Sequence, residues 1–328
     1  MKKSILITVI LSLLFMLGCN QKQKEDFVLL ESNLTDEDSK LLFLDSNLKE
    51  IETKVIKSNG LTSLINDEEK LLSISPYKSE YITVSKDEID ITDSKLPHPL
   101  FMIPFNNEKM FVYNYDKEND MNYYTYKMEG RKGSEPFRLK GIPFSITSDK
   151  KSLFIYSRDF TEPIENQFTL SVVDTIDNSI VKELVIDGPL VSSDLSVHDN
   201  QLYISLVDMD NGDSYIYTLN LENWQLEIKK LKEKNILGVY IQKNNVYAIY
   251  SNSGKSLLIK YNNDFSKLLE STEIGYTIEK PKFSKDMMYF ISNKDDNSTF
   301  LSFDLKKLKI NNVTEIPSSI IDYVILSQ

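Results

Sequence analysis

The chain has 328 residues, 41% hydrophobic and 27% charged, the balance of a globular protein rather than a disordered or multispanning membrane protein. Its 38 Lys and Arg against 49 Asp and Glu give a formal charge of −11, which argues against a nucleic-acid partner because neutralising phosphates takes clustered basic residues. One Cys excludes an internal disulfide framework or a Cys-rich zinc module, and two His leave little material for His-based metal chemistry. The chain opens MKKSILITVILSLLFMLGCN, with Lys2 and Lys3 followed by an apolar stretch of 13 residues from Ile5 to Leu17. A spanning helix needs about 20 apolar residues, so this length predicts the core of a signal peptide.

The stretch ends in Met16-Leu17-Gly18-Cys19, which resembles the lipobox of bacterial lipoproteins, with Met16 where Leu is commoner. The resemblance implies a signal peptide over residues 1–18, cleavage before Cys19, and a diacylglyceryl (palmitate-type) modification of the Cys19 thiol. The alternative, an uncleaved anchor in which Cys19 is one more apolar residue, does not explain why the only Cys closes a signal-length run. Two acyl chains hold a protein on a bilayer, at about 0.8 kcal/mol per buried methylene. Residues 19–26 are then a lipidated Cys with a short polar tether, and the expected location is the extracytoplasmic face of the cell membrane. Without residues 1–18 the chain carries 36 basic and 49 acidic residues, a charge of −13. Arg131, Arg138 and Arg158 are the only Arg and Ala248 the only Ala, a bias that fits an AT-rich genome and a Gram-positive host.

After residue 26 no amphipathic helical stretch appears. Short apolar or alternating segments rich in Tyr, Phe, Ile and Val alternate with Asn, Asp, Ser and Lys clusters, which predicts strands joined by turns. One β-aromatic motif recurs: FVLL from Phe27, LLSI from Leu71, MFVY from Met110, LFIY from Leu153, LYIS from Leu202, VYAI from Val246 and MYFI from Met288. The spacings are 44, 39, 43, 49, 44 and 42 residues, the period of four-stranded propeller blades. The fifth unit divides into strand a (194–198), b (201–206), c (214–221) and d (225–231), and the others divide alike. The a–b turns, such as NDEEK at 66–70 and HDN at 198–200, hold the Asn and Asp that tight hairpins tolerate. The first unit lacks strand a, while IIDYVILSQ (320–328) is a strand with nothing after it. The fold expected over residues 27–328 is therefore an all-β, seven-bladed β-propeller whose C-terminal strand closes the first blade, in preference to an open array or irregular sandwich.

ITSDKKSLFIYS (146–157) followed by FTLSVVDTIDNSIVKELVIDG (168–188) resembles the YVTN-type propeller repeat, a turn and an apolar-aromatic strand ahead of a V-x-D-x-x-x-x-x-V strand pair. Asp174 matches the Asp that precedes the c–d turn in that family, with weaker echoes in residues 219–231 and 303–316. The family's turn Gly is Lys, Asn or Asp here, and with Trp224 as the only Trp the tryptophan-aspartate signature of WD40 blades is absent. The resemblance implies a binding or scaffolding platform more often than a defined reaction.

In a propeller the b–c and d–a connections emerge on one face and the a–b and c–d turns on the other. The seven predicted b–c windows hold 16 acidic and six basic residues, among them Asp116, Glu118, Asp120, Asp208, Asp210, Asp213, Asp295 and Asp296. One rim is therefore expected to be acidic, either a surface for a cationic protein or peptide, or simply a solubilising coat. DMDNGD (208–213) fails the EF-hand pattern, because Gly212 is fifth and Leu219 stands at the twelfth position, leaving a looser structural calcium loop against a plain turn. No other metal or cofactor is expected, and no catalytic residue is assigned. His98 and His198 fall at opposite ends of their strands and cannot share a site, and no nucleophile elbow, P-loop or dinucleotide fingerprint occurs. The expected function is a non-enzymatic, lipid-anchored protein- or peptide-binding or scaffold propeller of the cell envelope. The alternatives are a carboxylate-based hydrolase or lyase at the channel mouth, and a self-protection or sensory lipoprotein of a peptide-antibiotic system.

Overall fold

The computed structural model describes residues 24–328 except 106–107, 119–120, 130–134, 159–167, 187, 189, 243–244 and 327–328. Cys19 and most of the predicted tether lie outside the described residues. The described residues form 28 strands, grouped as seven antiparallel four-stranded sheets. Blades 2 to 7 each use four consecutive strands, a to d from the axis outward. Blade 2 holds Ile65–Asp67, Lys70–Ser75, Glu80–Val84 and Ile89–Asp93; blade 3 holds Pro99–Phe105, Glu108–Glu118, Met121–Glu129 and Phe137–Lys140. Blade 4 holds Ile142–Ser148, Ser152–Arg158, Phe168–Asp174 and Ile180–Ile186; blade 5 holds Leu190–His198, Gln201–Asp208, Asp213–Asn220 and Leu226–Lys234. Blade 6 holds Ile236–Gln242, Asn245–Asn252, Lys255–Tyr261 and Leu268–Ile274; blade 7 holds Glu279–Ser284, Met287–Lys294, Asn297–Asp304 and Lys309–Ile316.

Blade 1 takes its strands b to d from Phe27–Glu31, Ser39–Leu44 and Glu50–Ile56, and its strand a from the C-terminus, Ile320–Ile325. Val28 pairs with Val324 and Leu29 with Tyr323, antiparallel. The chain is a seven-bladed β-propeller closed by its own tail. All seven recurring motifs fall on b strands. In blade 3 the b and c strands pair as far as Glu118 with Met121, so Asp116 and Glu118 belong to a long hairpin rather than to the loop.

Burial explains the strand sequences. The b strands are sandwiched between neighbouring blades and read as continuous apolar runs, as in FVLLE and SLFIYSR. The d strands face water on one side and alternate, as in KINNVTEI, where every second residue is exposed until Ile316. Lys and Glu along these outer strands discourage edge-to-edge pairing. Seven buried clusters form, one at each blade-to-blade junction, and Phe27, Phe300, Ile316 and Tyr323 make the one that joins blade 7 to blade 1.

Local chemistry sets the turns. Asp199 and Asn200 both adopt positive φ, 47° and 59°, in the two-residue turn between His198 and Gln201. Asp174 accepts the Ile176 N–H at 2.6 Å, and Asp45, Asn220, Asn262 and Asp304 take the same post at the ends of other c strands, each capping its c–d turn. A second repeat ties blades together. Buried Ser214, Ser256 and Ser298 each begin or adjoin the start of a c strand, and each Oγ accepts a backbone N–H 22 residues on, from Ile236, Ile278 and Ile320 at 3.0, 2.9 and 2.7 Å. At blade 1 a Ser32–Ser39 pair does this for Leu61, at 2.9 Å.

Candidate functional site in the central channel

The seven a strands surround the axis, and polar contacts join most of them to the next. Ser192 Oγ of blade 5 donates to Ser145 Oγ of blade 4 at 3.1 Å. The Tyr240 hydroxyl of blade 6 donates to the Asp194 carboxylate of blade 5, which also accepts the Leu195 N–H at 2.8 Å. The Tyr240 ring stacks on Phe283 of blade 7, with centroids 5.1 Å apart. Lys282 of blade 7 donates to the Tyr323 carbonyl of blade 1, lies 3.5 Å from Asp322 Oδ1, and sits 4.4 Å from the centroid of the Tyr323 ring. Asp322 Oδ2 accepts the Leu64 N–H, at the entry to blade 2, at 2.9 Å.

Asp194, Tyr240 and Lys282 are mostly surrounded by protein but keep some exposure, Tyr323 is fully buried, and their acidities record it. The surrounding protein pushes the Asp194 carboxyl up to about 7, against the opposing hydrogen bonds from Tyr240 and the Leu195 N–H. Burial lowers Lys282, against the attraction of Asp322, and raises the Tyr240 and Tyr323 hydroxyls. Asp194 therefore exchanges its proton in the neutral range, which most carboxyls do not.

The Asp194–Tyr240 contact depends on a missing side chain. Tyr240 lies over Gly238, two residues earlier on the same strand, and a Cβ at 238 would collide with the Tyr240 hydroxyl and stand 2.7 Å from its Cζ. Gly238→Ala is expected to push the hydroxyl off Asp194 and to destabilise the fold by about 1–3 kcal/mol, the usual cost of overpacking. A melt of the variant within about one degree of the parent would show that the contact is dispensable.

At the a–b end the channel opens into a cavity of about 600 Å³, with Lys282 and Asn66 in an otherwise apolar wall. A second hollow of about 540 Å³ lies between blades 5 and 6, bordered by His198, Tyr203, Glu227 and Phe265. His198 ends strand a of blade 5 and contacts Asp199 at 3.2 Å, while His98, with φ +46°, precedes strand a of blade 3, so the two imidazoles stand at opposite ends of the ring.

The acidic residues picked out by sequence divide by role. Asp208 accepts the Asp210 N–H at 2.9 Å and the Asn211 side chain at 2.8 Å, and Asp213 is paired with Lys230 and Lys234 of its own blade. DMDNGD is thus a self-capped turn, with Gly212 at φ +76°. Asp210, Asp295 and Asp296 are exposed at the tips of their connections. Asp120 and Cys19 lie outside the described residues, and nothing is described of the Asp116 and Glu118 side chains. Among the described residues no group of three or more His, Cys, Asp and Glu is placed to hold a metal ion. The channel residues escaped the sequence reading, although each is a charge inside an inner strand: Asp194 in LVSSDLSVH, Lys282 in EKPKFS and Asp322 in IIDYVI.

No family model matches the chain, and no curated protein matches it in sequence. Solved propellers match it in shape. A candidate 6-phosphogluconolactonase from Bacteroides uniformis aligns with TM-score 0.62 and 9% identity over 92% of this chain and 100% of its own. A protein from Lactobacillus plantarum gives 0.60 and 10% over 93% and 100%, and BamB from Moraxella catarrhalis 0.51 and 6% over 91% and 93%. The likeness is one of fold. At such identities it carries no activity across, since propellers serve unrelated functions.

Proposed function

We propose that this protein is a lipid-anchored binding propeller of the cell envelope and that its b–c face receives a cationic protein or peptide. The observation that carries the reading is the direction in which the chain enters the ring. Phe27 begins strand b of blade 1, and b strands run from the a–b end to the b–c end. Residues 19–26 span at most about 28 Å when extended. A lipid on Cys19 therefore turns the a–b end toward the bilayer and the acidic end away from it. Asp36, Glu37, Asp210, Asp295 and Asp296 are exposed on that outward end. Carboxylates so displayed steer a cationic partner in from solution, with strong salt dependence.

Replacing those five residues by Asn or Gln is expected to lower recovery of the captured partner at least about tenfold when intact cells are crosslinked, without changing the melting temperature. Equal recovery removes the reading. Cys19→Ala should move the protein from the membrane to the soluble fraction.

A second reading, a hydrolase or lyase working in the channel, is favoured by Asp194, whose proton comes off near neutral pH as a general acid or base requires. Asp194→Asn separates the two: it abolishes turnover on the second reading and leaves partner capture intact on the first.

A further inference from the structure

The end of the ring opposite the acidic face has a chemistry of its own. The wall of the 600 Å³ cavity is built from Ile65, Pro104, Phe283, Val324, Ile325 and Leu326. Its size lies within the range of small-molecule sites, roughly 300–1,000 Å³. Two polar side chains interrupt the apolar surface, the Lys282 ammonium and the Asn66 carboxamide.

Among the described residues the charge there is not balanced. Lys282 and Lys280 approach the same oxygen of Asp322, at 3.5 and 4.0 Å, so one carboxylate faces two ammonium groups. That carboxylate is also engaged by backbone, accepting the Tyr323 N–H at 2.8 Å and the Leu64 N–H at 2.9 Å. The three side chains together carry one net positive charge. A Lys ammonium has three N–H donors. One of those on Lys282 goes to the Tyr323 carbonyl and a second spans the long 3.5 Å to Asp322, while 37% of the side chain remains exposed. The surrounding protein lowers the affinity of Lys282 for its proton, the mark of a cation with less solvation than it needs.

We propose that this cavity binds a small apolar molecule bearing one carboxylate, held by Lys282 and Asn66, with its hydrocarbon part against Phe283, Val324 and Leu326. A second negative charge on the ligand would meet Asp322, so the site selects a monoanion. The Asn66 side chain supplies a neutral N–H donor, and the Phe283 ring, already stacked on Tyr240, gives the tail a flat apolar floor.

The test is calorimetric titration of the full chain with octanoate and with octan-1-ol, its uncharged counterpart. One octanoate per chain is expected, with octanol at least about tenfold weaker, the scale of a charge-assisted hydrogen bond. Lys282→Met should reduce octanoate to the affinity of octanol, and Lys282→Arg should preserve the preference. Asn66 is exposed, so Asn66→Asp places a negative charge at the mouth without touching the core; it should cut the preference for octanoate over octanol at least about tenfold and keep the parent melt. Octanoate and octanol binding alike, octanoate not binding at all, or Asn66→Asp leaving the preference intact would each overturn the assignment.

Discussion

Deleting residues 320–328 is expected to abolish the cooperative fold. Strand Ile320–Ile325 is the inner edge of blade 1 and also brings Ile320 and Tyr323 into the junction with blade 7. Tyr323 is fully buried, with its ring edge-on to Phe300 at 4.9 Å and its hydroxyl 2.7 and 2.9 Å from the Tyr289 and Lys280 carbonyls. Ile320 and Val324 add 1% and 7% exposed side chains to the clusters on either side. Each such apolar burial is worth about 1.5–3 kcal/mol, so the strand as a whole approaches the total stability of a typical protein, about 5–15 kcal/mol. Its removal also leaves Phe27–Glu31 as an open apolar edge that invites association with another chain. Circular dichroism should show the sharp melt lost, and sedimentation should show aggregates. A monomer with the parent's melt would mean the ring does not depend on its clasp. Tyr323→Ala alone should cost about 3–5 kcal/mol.

Asp194→Asn is expected to stabilise the protein at pH 8 and to flatten its stability between about pH 4 and pH 7. An ordinary Asp carboxyl titrates near 3.8, and that of Asp194 is held up to about 7 in the fold. Between these values the folded state holds a proton that the unfolded state has released, so raising the pH draws the equilibrium toward unfolding. The contribution is fully favourable below about pH 4, declines across the window and is constant above about pH 7. Three pH units correspond to about 4 kcal/mol, and access from the channel reduces that to roughly 2–4 kcal/mol. Asn still accepts from Leu195 N–H and Tyr240 but does not titrate. Urea midpoints for parent and variant at pH 4, 6 and 8 check this: the two should converge in acid and part at pH 8. Parallel curves would place the Asp194 proton elsewhere.

The ring is written in the local pattern of the chain. Seven apolar-aromatic segments at intervals near 44 residues specify seven b strands, because the period-2 pattern and the turn residues are local properties of the chain. The orphan strand at 320–328 and the missing strand before Phe27 even specify the closure, since an unpaired edge on each side has one economical remedy. Asp174, which matches the repeat's Asp before the c–d turn, was legible because it bonds to a backbone only two residues away, whereas the caps of the other c–d turns were not singled out. The Ser repeat at strand c was legible in principle, with a constant offset of 22 residues from Ser214, Ser256 and Ser298, but its meaning lies in a contact with the next blade.

Which charges meet follows from the packing of strands that are distant in the chain. Asp194 and Tyr240 lie on separate blades, and Lys282 and Asp322 are 40 residues apart, joined only because blade 7 abuts the returning tail. Loop carboxylates such as Asp208 and Asp213 looked alike in sequence to Asp210, yet the fold occupies the first two within their own blade and leaves the third in solvent. Spacing along a chain records what a residue's neighbours two or three places away require. The environment that sets the acidity of Asp194, or leaves one carboxylate between two ammonium groups, exists only when strands distant in sequence are brought edge to edge around one axis.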